Sequence, residues 1–109
     1  MALSEKAIEN YLVKRSKEYN FLCLKFNSSS ASGVCDRLVV SVSGITYYVE
    51  LKSPKGRLSK LQEKFIKDMA ARNVIVYIIS SKDRVDRFLQ QIEWRDINAS
   101  KKEKNHLHL

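Results

Sequence analysis

Two cysteines, one proline and three glycines in 109 residues leave little room for several kinds of protein. Cys23 and Cys35 lack CxxC spacing, so neither a zinc site nor a disulfide framework is indicated, and both read as buried or part-buried free thiols. No Gly-rich segment offers a nucleotide cradle, which counts against a phosphoesterase of small substrates. No apolar run approaches the roughly 18 residues of a membrane span, and no charged-then-apolar leader opens the chain, so a soluble, intracellular, cytoplasmic protein is expected. Internal repeats are lacking as well. Acid is also in short supply: 20 Lys and Arg face 12 Asp and Glu, a formal charge of +8. That excess suits a polyanion, nucleic acid first and an anionic membrane surface second. The length fits one domain, placed at residues 1–95, with a basic polar tail over 96–109.

What the chain does have is a compact chemical pattern. Gly33-Val34-Cys35-Asp36 is followed one hairpin later by Tyr48-Val49-Glu50-Leu51-Lys52. Alternation along a strand puts Glu50 and Lys52 on one face and turns Leu51 away. Two nearby carboxylates, Asp36 and Glu50, can hold one or two Mg²⁺ ions through hard oxygen ligands, with the Leu51 backbone carbonyl as a further oxygen. Lys52 would bring positive charge to the attacking water or the phosphate oxygens. Asp36, Glu50 and Lys52 are therefore the candidate catalytic triad of a metal-dependent phosphodiester hydrolase.

Periodicity supplies the frame. Ser4 can cap a helix over about 5–18, with Ile8, Tyr11, Leu12 and Tyr19 on one face. Glu5 and Glu9 share a flank of that stripe; each is either a solvated acid of the first turns or an acid leaning towards a site beside the core. Phe21–Phe26 reads as a buried strand. Residues 27–33 have no periodicity and read either as a mobile loop that orders on substrate or as a plain connector. Leu38–Val42 and Ile45–Val49 form a hairpin about Ser43-Gly44.

Register then decides the site. A two-residue turn at Ser43-Gly44 sets Arg37 opposite Glu50 and puts Asp36 on the wrong face. A loop one residue longer, or a bulge, sets Leu38 opposite Glu50 and Asp36 opposite Lys52. The second arrangement is predicted, because of the two it aims both carboxylates at one point.

Beyond the hairpin, Ser53–Leu58 is a basic loop tied to Lys52, and its Lys55 and Arg57 are the candidates for phosphate contact or else ordinary solvated charges. Ser59-Lys60-Leu61-Gln62 fits a capping box, which gives Gln62 a structural role; contact with a metal-bound water or phosphate is its functional alternative. The second helix carries Leu61, Phe65 and Met69 as a core stripe and stops near Asn73. Val74–Ile79 is predicted to be a central strand, and Ser81 to cap a last helix bearing Val85, Phe88, Leu89 and Ile92. His106 and His108 sit in the tail as incidental residues.

The result is an α/β fold in the order α-β-β-β-α-β-α, a mixed sheet flanked by helices. The succession Glu5-x-x-Ile8, Gly33-x-x-Asp36-Arg37, Glu50-x-Lys52, Gly56-Arg57-Leu58-Ser59 and Gln62 resembles the VRR-NUC nucleases of the PD-(D/E)XK superfamily, in particular small stand-alone bacteriophage forms. The resemblance implies an endonuclease dependent on Mg²⁺ or Mn²⁺ and acting on branched DNA in a bacterial or bacteriophage-infected cell. It further implies a homodimer that resolves four-way (Holliday) junctions. It assigns Asp36 and Glu50 as metal ligands, Lys52 as the catalytic lysine, Gln62 as the family's glutamine and Glu5 as its first-helix acid, with Glu9 the alternative. Cys35 stands where the family usually has proline, and the Val-Arg-Arg run is absent. The competing class is a non-catalytic DNA-binding module on the same fold; Glu50 and Lys52 beside Asp36 count against it.

Overall fold

Seven elements follow one another as α-β-β-β-α-β-α in the computed structural model, which describes residues 3–26 and 35–103. The loop over 27–33 and the two tail histidines lie outside the described residues, apart from which the predicted order of elements stands. Helix α1 (Glu5–Glu18) begins where Ser4 Oγ accepts the Ala7 N–H at 3.1 Å, and it buries Ile8, Leu12 and Ser16 on one face.

Strands β1 (Leu22–Lys25), β2 (Arg37–Val40), β3 (Thr46–Leu51) and β4 (Val76–Ile79) make one sheet in the order β1-β2-β3-β4. The first two pairings are antiparallel and β3 with β4 is parallel. Alternation sorts the side chains. Val39, Tyr47, Val49, Leu51 and Ile79 join Ile8 and Leu12 of α1 and Val85, Phe88, Leu89 and Ile92 of α3 (Lys82–Glu103) in one core. Each large aliphatic side chain fully buried there contributes about 1.5–3 kcal/mol of transfer free energy. Polar clasps fix the two helices to each other and to the sheet. Tyr11 donates to Asp86 at 2.9 Å, Arg15 Nε bonds the same carboxylate at 3.1 Å, and Asp96 accepts the Ser43 N–H at 3.1 Å.

The opposite face is far less covered. Helix α2 (Lys60–Ala70) lies on it and buries none of its residues, and Leu61, expected in a core stripe, is 53% exposed. Strand β1 is not buried either, because it is a sheet edge with Leu22 60% exposed and Leu24 exposed beside it. The apolar run ending at Ile79 is the other edge rather than the centre. Val76 and Ile79 are covered, while Ile75 and Ile78 are exposed. A continuous apolar run marks a strand that is covered on both faces, and here one face of that strand is half open.

The last helix also differs from expectation. It continues past residue 95, where composition suggested a tail, to Glu103, and its buried Asp96 clasps the β2–β3 loop. Burial works against that carboxylate's charge, but the Ser43 and Ser41 hydrogen bonds outweigh it and hold Asp96 below the ordinary range.

Candidate active site

The hairpin closes through a three-residue loop, with Ser41 N–H bonding Ile45 O at 2.9 Å and Gly44 at φ 91°. Only glycine takes that backbone conformation without cost, which is why the turn falls here. The consequence is a register that pairs Arg37 with Val49 and Leu38 with Tyr48. Continued by one residue it brings Asp36 level with Glu50, so the predicted pairing with Lys52 is displaced by two residues. A shift of two preserves the face, and the carboxylates still converge.

Asp36 sits at a kink of the kind a bulge produces. Its N–H bonds Val49 O on β3 and its carbonyl accepts Phe26 N–H beyond β1, each at 3.0 Å, whereas in a regular ladder both groups of one residue face one neighbour. The kink lets Asp36 Oδ2 accept the Leu51 N–H at 2.8 Å. One carboxylate oxygen is thereby fixed to the strand that carries Glu50. Cys35, next to Asp36, is buried with its thiol 3.7 Å from Arg37 O. Burial pushes that thiol up to about 11, which leaves it an inert packing group. Cys23 is also a free thiol, and burial raises it too.

Glu50 is 2% exposed, which is costly for a carboxylate without compensation. Its Oε2 accepts Gln62 Nε2 at 2.8 Å and lies 3.3 Å from Lys52 Nζ. Its Oε1 is buried with no hydrogen-bond partner among the described residues. Burial first, and then the Asp36 charge, push Glu50 up to about 7 against the pull of Lys52; the Glu5 charge adds a smaller push. The site is thus a pair of carboxylates short of positive charge, with one oxygen open.

Gln62 carries both roles weighed for it. Its Oε1 accepts the Ser59 N–H at 2.9 Å and Ser59 Oγ accepts the Gln62 N–H at 3.1 Å, completing the capping box, while its amide NH₂ reaches Glu50. The cap therefore aims the amide. Gly56 tightens the loop before it, where an added Cβ would meet Ser53 Oγ at 3.1 Å and Ser53 O at 3.2 Å. Lys55 and Arg57 are exposed on that loop, next to the site.

The two candidate acids of α1 separate. Glu9 binds Arg37 Nε at 2.8 Å and Lys6 at 3.4 Å; burial works against its charge, but these partners outweigh it and hold Glu9 below the ordinary range. Glu5 stays exposed and is the helix acid whose charge acts on Glu50. Sequence reasoning missed the Arg37–Glu9 pair, although strand alternation, which sends Arg37 to the α1 side with Val39, could have suggested it.

Among the described residues no three His, Cys, Asp or Glu side chains gather into a metal cage. Asp36 and Glu50 form a pair, and a hard divalent cation bound by one or two carboxylates usually keeps several waters. The orphaned Glu50 Oε1 is what such a cation would satisfy.

Comparison with known proteins bears on the family and the fold. The sequence profile of the VRR-NUC domain matches residues 2–83. A solved structure described as a VRR_NUC domain shares the fold with a TM-score of 0.72 at 21% identity, over 81% of this chain and 97% of its own. No curated protein matches the chain.

Proposed function

The chain belongs to the VRR-NUC family of nuclease domains, and from that premise we propose that Asp36, Glu50 and Lys52 hydrolyse DNA phosphodiester bonds with Mg²⁺ or Mn²⁺ as cofactor. The observation that carries the reading is the buried Glu50 Oε1, without a partner among the described residues, beside a second carboxylate and a lysine. A buried polar atom left unsatisfied costs about 1–3 kcal/mol, more when charged, so a purely structural cluster has no reason to keep it.

Asp36, Glu50 and the Leu51 carbonyl would hold the cation, which when bound supplies positive charge at the phosphate oxygens and makes water more acidic. The chain's own part is positioning. The Leu51 N–H keeps Asp36 from rotating, and Gln62 fixes the Glu50 carboxylate from the α2 side. Lys52 stands at the edge of the pair, where its ammonium can stabilise the charge that builds on the phosphoryl oxygens as water attacks and the sugar oxygen leaves. Glu5 closes the acidic side from α1. Lys55 and Arg57 hold flanking phosphates on the exposed loop.

The finer reading is a homodimer that cuts branched DNA, four-way junctions included. Its support is the poorly covered sheet face bearing Leu22 and Leu24, with Leu61 exposed on α2, an apolar surface that a second copy would cover. The test is cleavage of a labelled four-way junction, a flap and a linear duplex with Mg²⁺, Mn²⁺ or EDTA, alongside sedimentation of the protein. Paired symmetric cuts in the junction that vanish with EDTA, from a dimer, are expected. Cutting by a monomer would remove the dimer reading; metal-independent binding with no cutting of any substrate would favour a non-catalytic DNA-binding module.

A further inference from the structure

Helix α3 carries a second basic feature that the active site does not use. At about 100° per residue, Arg84, Arg87, Gln91, Trp94 and Arg95 fall within roughly 100° of one flank, on the side facing the edge strand β4. No Asp or Glu falls inside that arc; Asp83 lies just beyond it and pairs with Arg87 at 3.2 Å, both side chains well exposed. Two hollows line the flank, of about 410 and 340 Å³, and share Arg87 and Gln91. The smaller lies between α3 and Tyr77, Ile78 and Ile79 of β4, and the larger extends it along α3, so that together they make one shallow groove.

The groove is shaped rather than merely charged. Arg95 Nη1 donates to the Tyr77 hydroxyl at 2.8 Å and its guanidinium lies 5.9 Å from the Tyr47 ring, so this charge is held against the sheet. Trp94 projects beside it, 67% exposed. Exposing so large an aromatic surface forgoes burial free energy unless something covers it.

Its position connects it to the site. Lys52 N–H bonds Ile79 O at 3.0 Å, and Ser81 Oγ accepts the Arg84 N–H at 3.1 Å. Arg84 therefore starts the groove at the sheet end that carries Glu50 and Lys52. From there to Arg95 the helix rises about 16 Å at ~1.5 Å per residue, long enough to follow a short run of strand backbone.

We propose that this groove binds an unpaired DNA strand leaving the active site, with Arg84 and Arg87 on its phosphates and Trp94 stacked on a base. The assignment rests on DNA being the substrate of the nuclease proposed above. Arginine with an exposed aromatic is the chemistry of single-strand grooves, which take backbone charge and base faces together. A second copy of the chain is the poorer occupant, because a two-fold contact through this flank would set arginines against arginines.

Trp94 is the single tryptophan of the chain, so its emission reports this groove alone. The experiment is titration of the full chain in EDTA with a 15-nucleotide single strand, followed by Trp94 emission and by anisotropy of the labelled strand over a salt series. A saturable change in emission that tracks the anisotropy is expected. Arg84→Ala with Arg87→Ala should lower the log–log salt slope by about 1.4, at ~0.7 per phosphate on a single strand. Both substitutions are at exposed positions, and circular dichroism checks the fold. Strand binding with unchanged Trp94 emission, an unaltered slope in the double variant, or no strand binding at all would overturn the proposal. Wild-type protein that shifts Trp94 emission but cuts no DNA with Mg²⁺ would instead sink the nuclease reading and leave the groove standing.

Discussion

The two faces of the sheet are built to different ends. The face under α1 and α3 is dry and closed, with Ile8, Leu12, Val49, Leu89 and Ile92 fully buried. The face under α2 holds Glu50 in burial beside an oxygen without a partner, while Leu61 and Leu22 stay exposed. One strand serves both, since Val49 and Leu51 point into the core and Glu50 between them points out of it. The closed face sets the backbone rigidly enough for the open face to keep two carboxylates close together, an arrangement that stabilises nothing by itself.

The largest effect expected on the open face is chemical. Asp36→Asn keeps an oxygen for the Leu51 N–H but removes the charge, so Mg²⁺-supported cleavage should fall at least about a thousandfold in single turnover while the melting temperature stays close to wild type. On the closed face the pattern should invert. Leu12→Ala should cost about 2–5 kcal/mol in denaturant unfolding and leave cleavage intact at temperatures where the variant is folded. Large losses of both properties from either substitution would merge the two faces into one cooperative unit.

A smaller effect links stability to pH. Glu50 is pushed up to about 7 in the fold from an ordinary value of 4.5. The folded protein therefore holds a proton that the unfolded chain has lost, and the stability this proton brings is full below about 4.5 and disappears as pH rises through 7. Metal-free protein should melt lower at pH 8 than at pH 5.5, Glu50→Gln should flatten that slope, and Mg²⁺ should raise melting more at pH 8. Glu9 and Asp96 are held below the ordinary range and act at lower pH, outside this window. The smallest change concerns binding: replacing Lys55 and Arg57 by Ala should reduce the salt slope on duplex DNA by about 1.8, at ~0.9 per phosphate contact.

Much of this was legible in the residues. Ser4, Ser59 and Ser81 mark all three helix starts, because a side-chain oxygen before an amphipathic run has few other uses. The candidate residues Asp36, Glu50, Lys52 and Gln62 come together, and alternation alone placed Glu50 out of the core. What local pattern could not carry was neighbourhood. An apolar run such as Val74–Ile79 reads the same at a sheet's edge as at its centre, and the stripe on α2 says nothing of whether anything covers it. The register missed by two for a related reason, since the face is fixed by periodicity but the pairing depends on which three residues make the loop, and they are 42–44 rather than 43–45. Asp96 was lost because a polar, basic stretch reads as a tail, and its burial follows from Ser43, 53 residues earlier in the chain.

The most direct test of the central claim is single-turnover cleavage of a labelled junction by wild type and Glu50→Gln across a Mg²⁺ titration. The account predicts metal-dependent cutting by wild type and none by the variant at any concentration, with both proteins folded and both binding the DNA. Cutting by Glu50→Gln at the wild-type rate, or by wild type in EDTA, would contradict it.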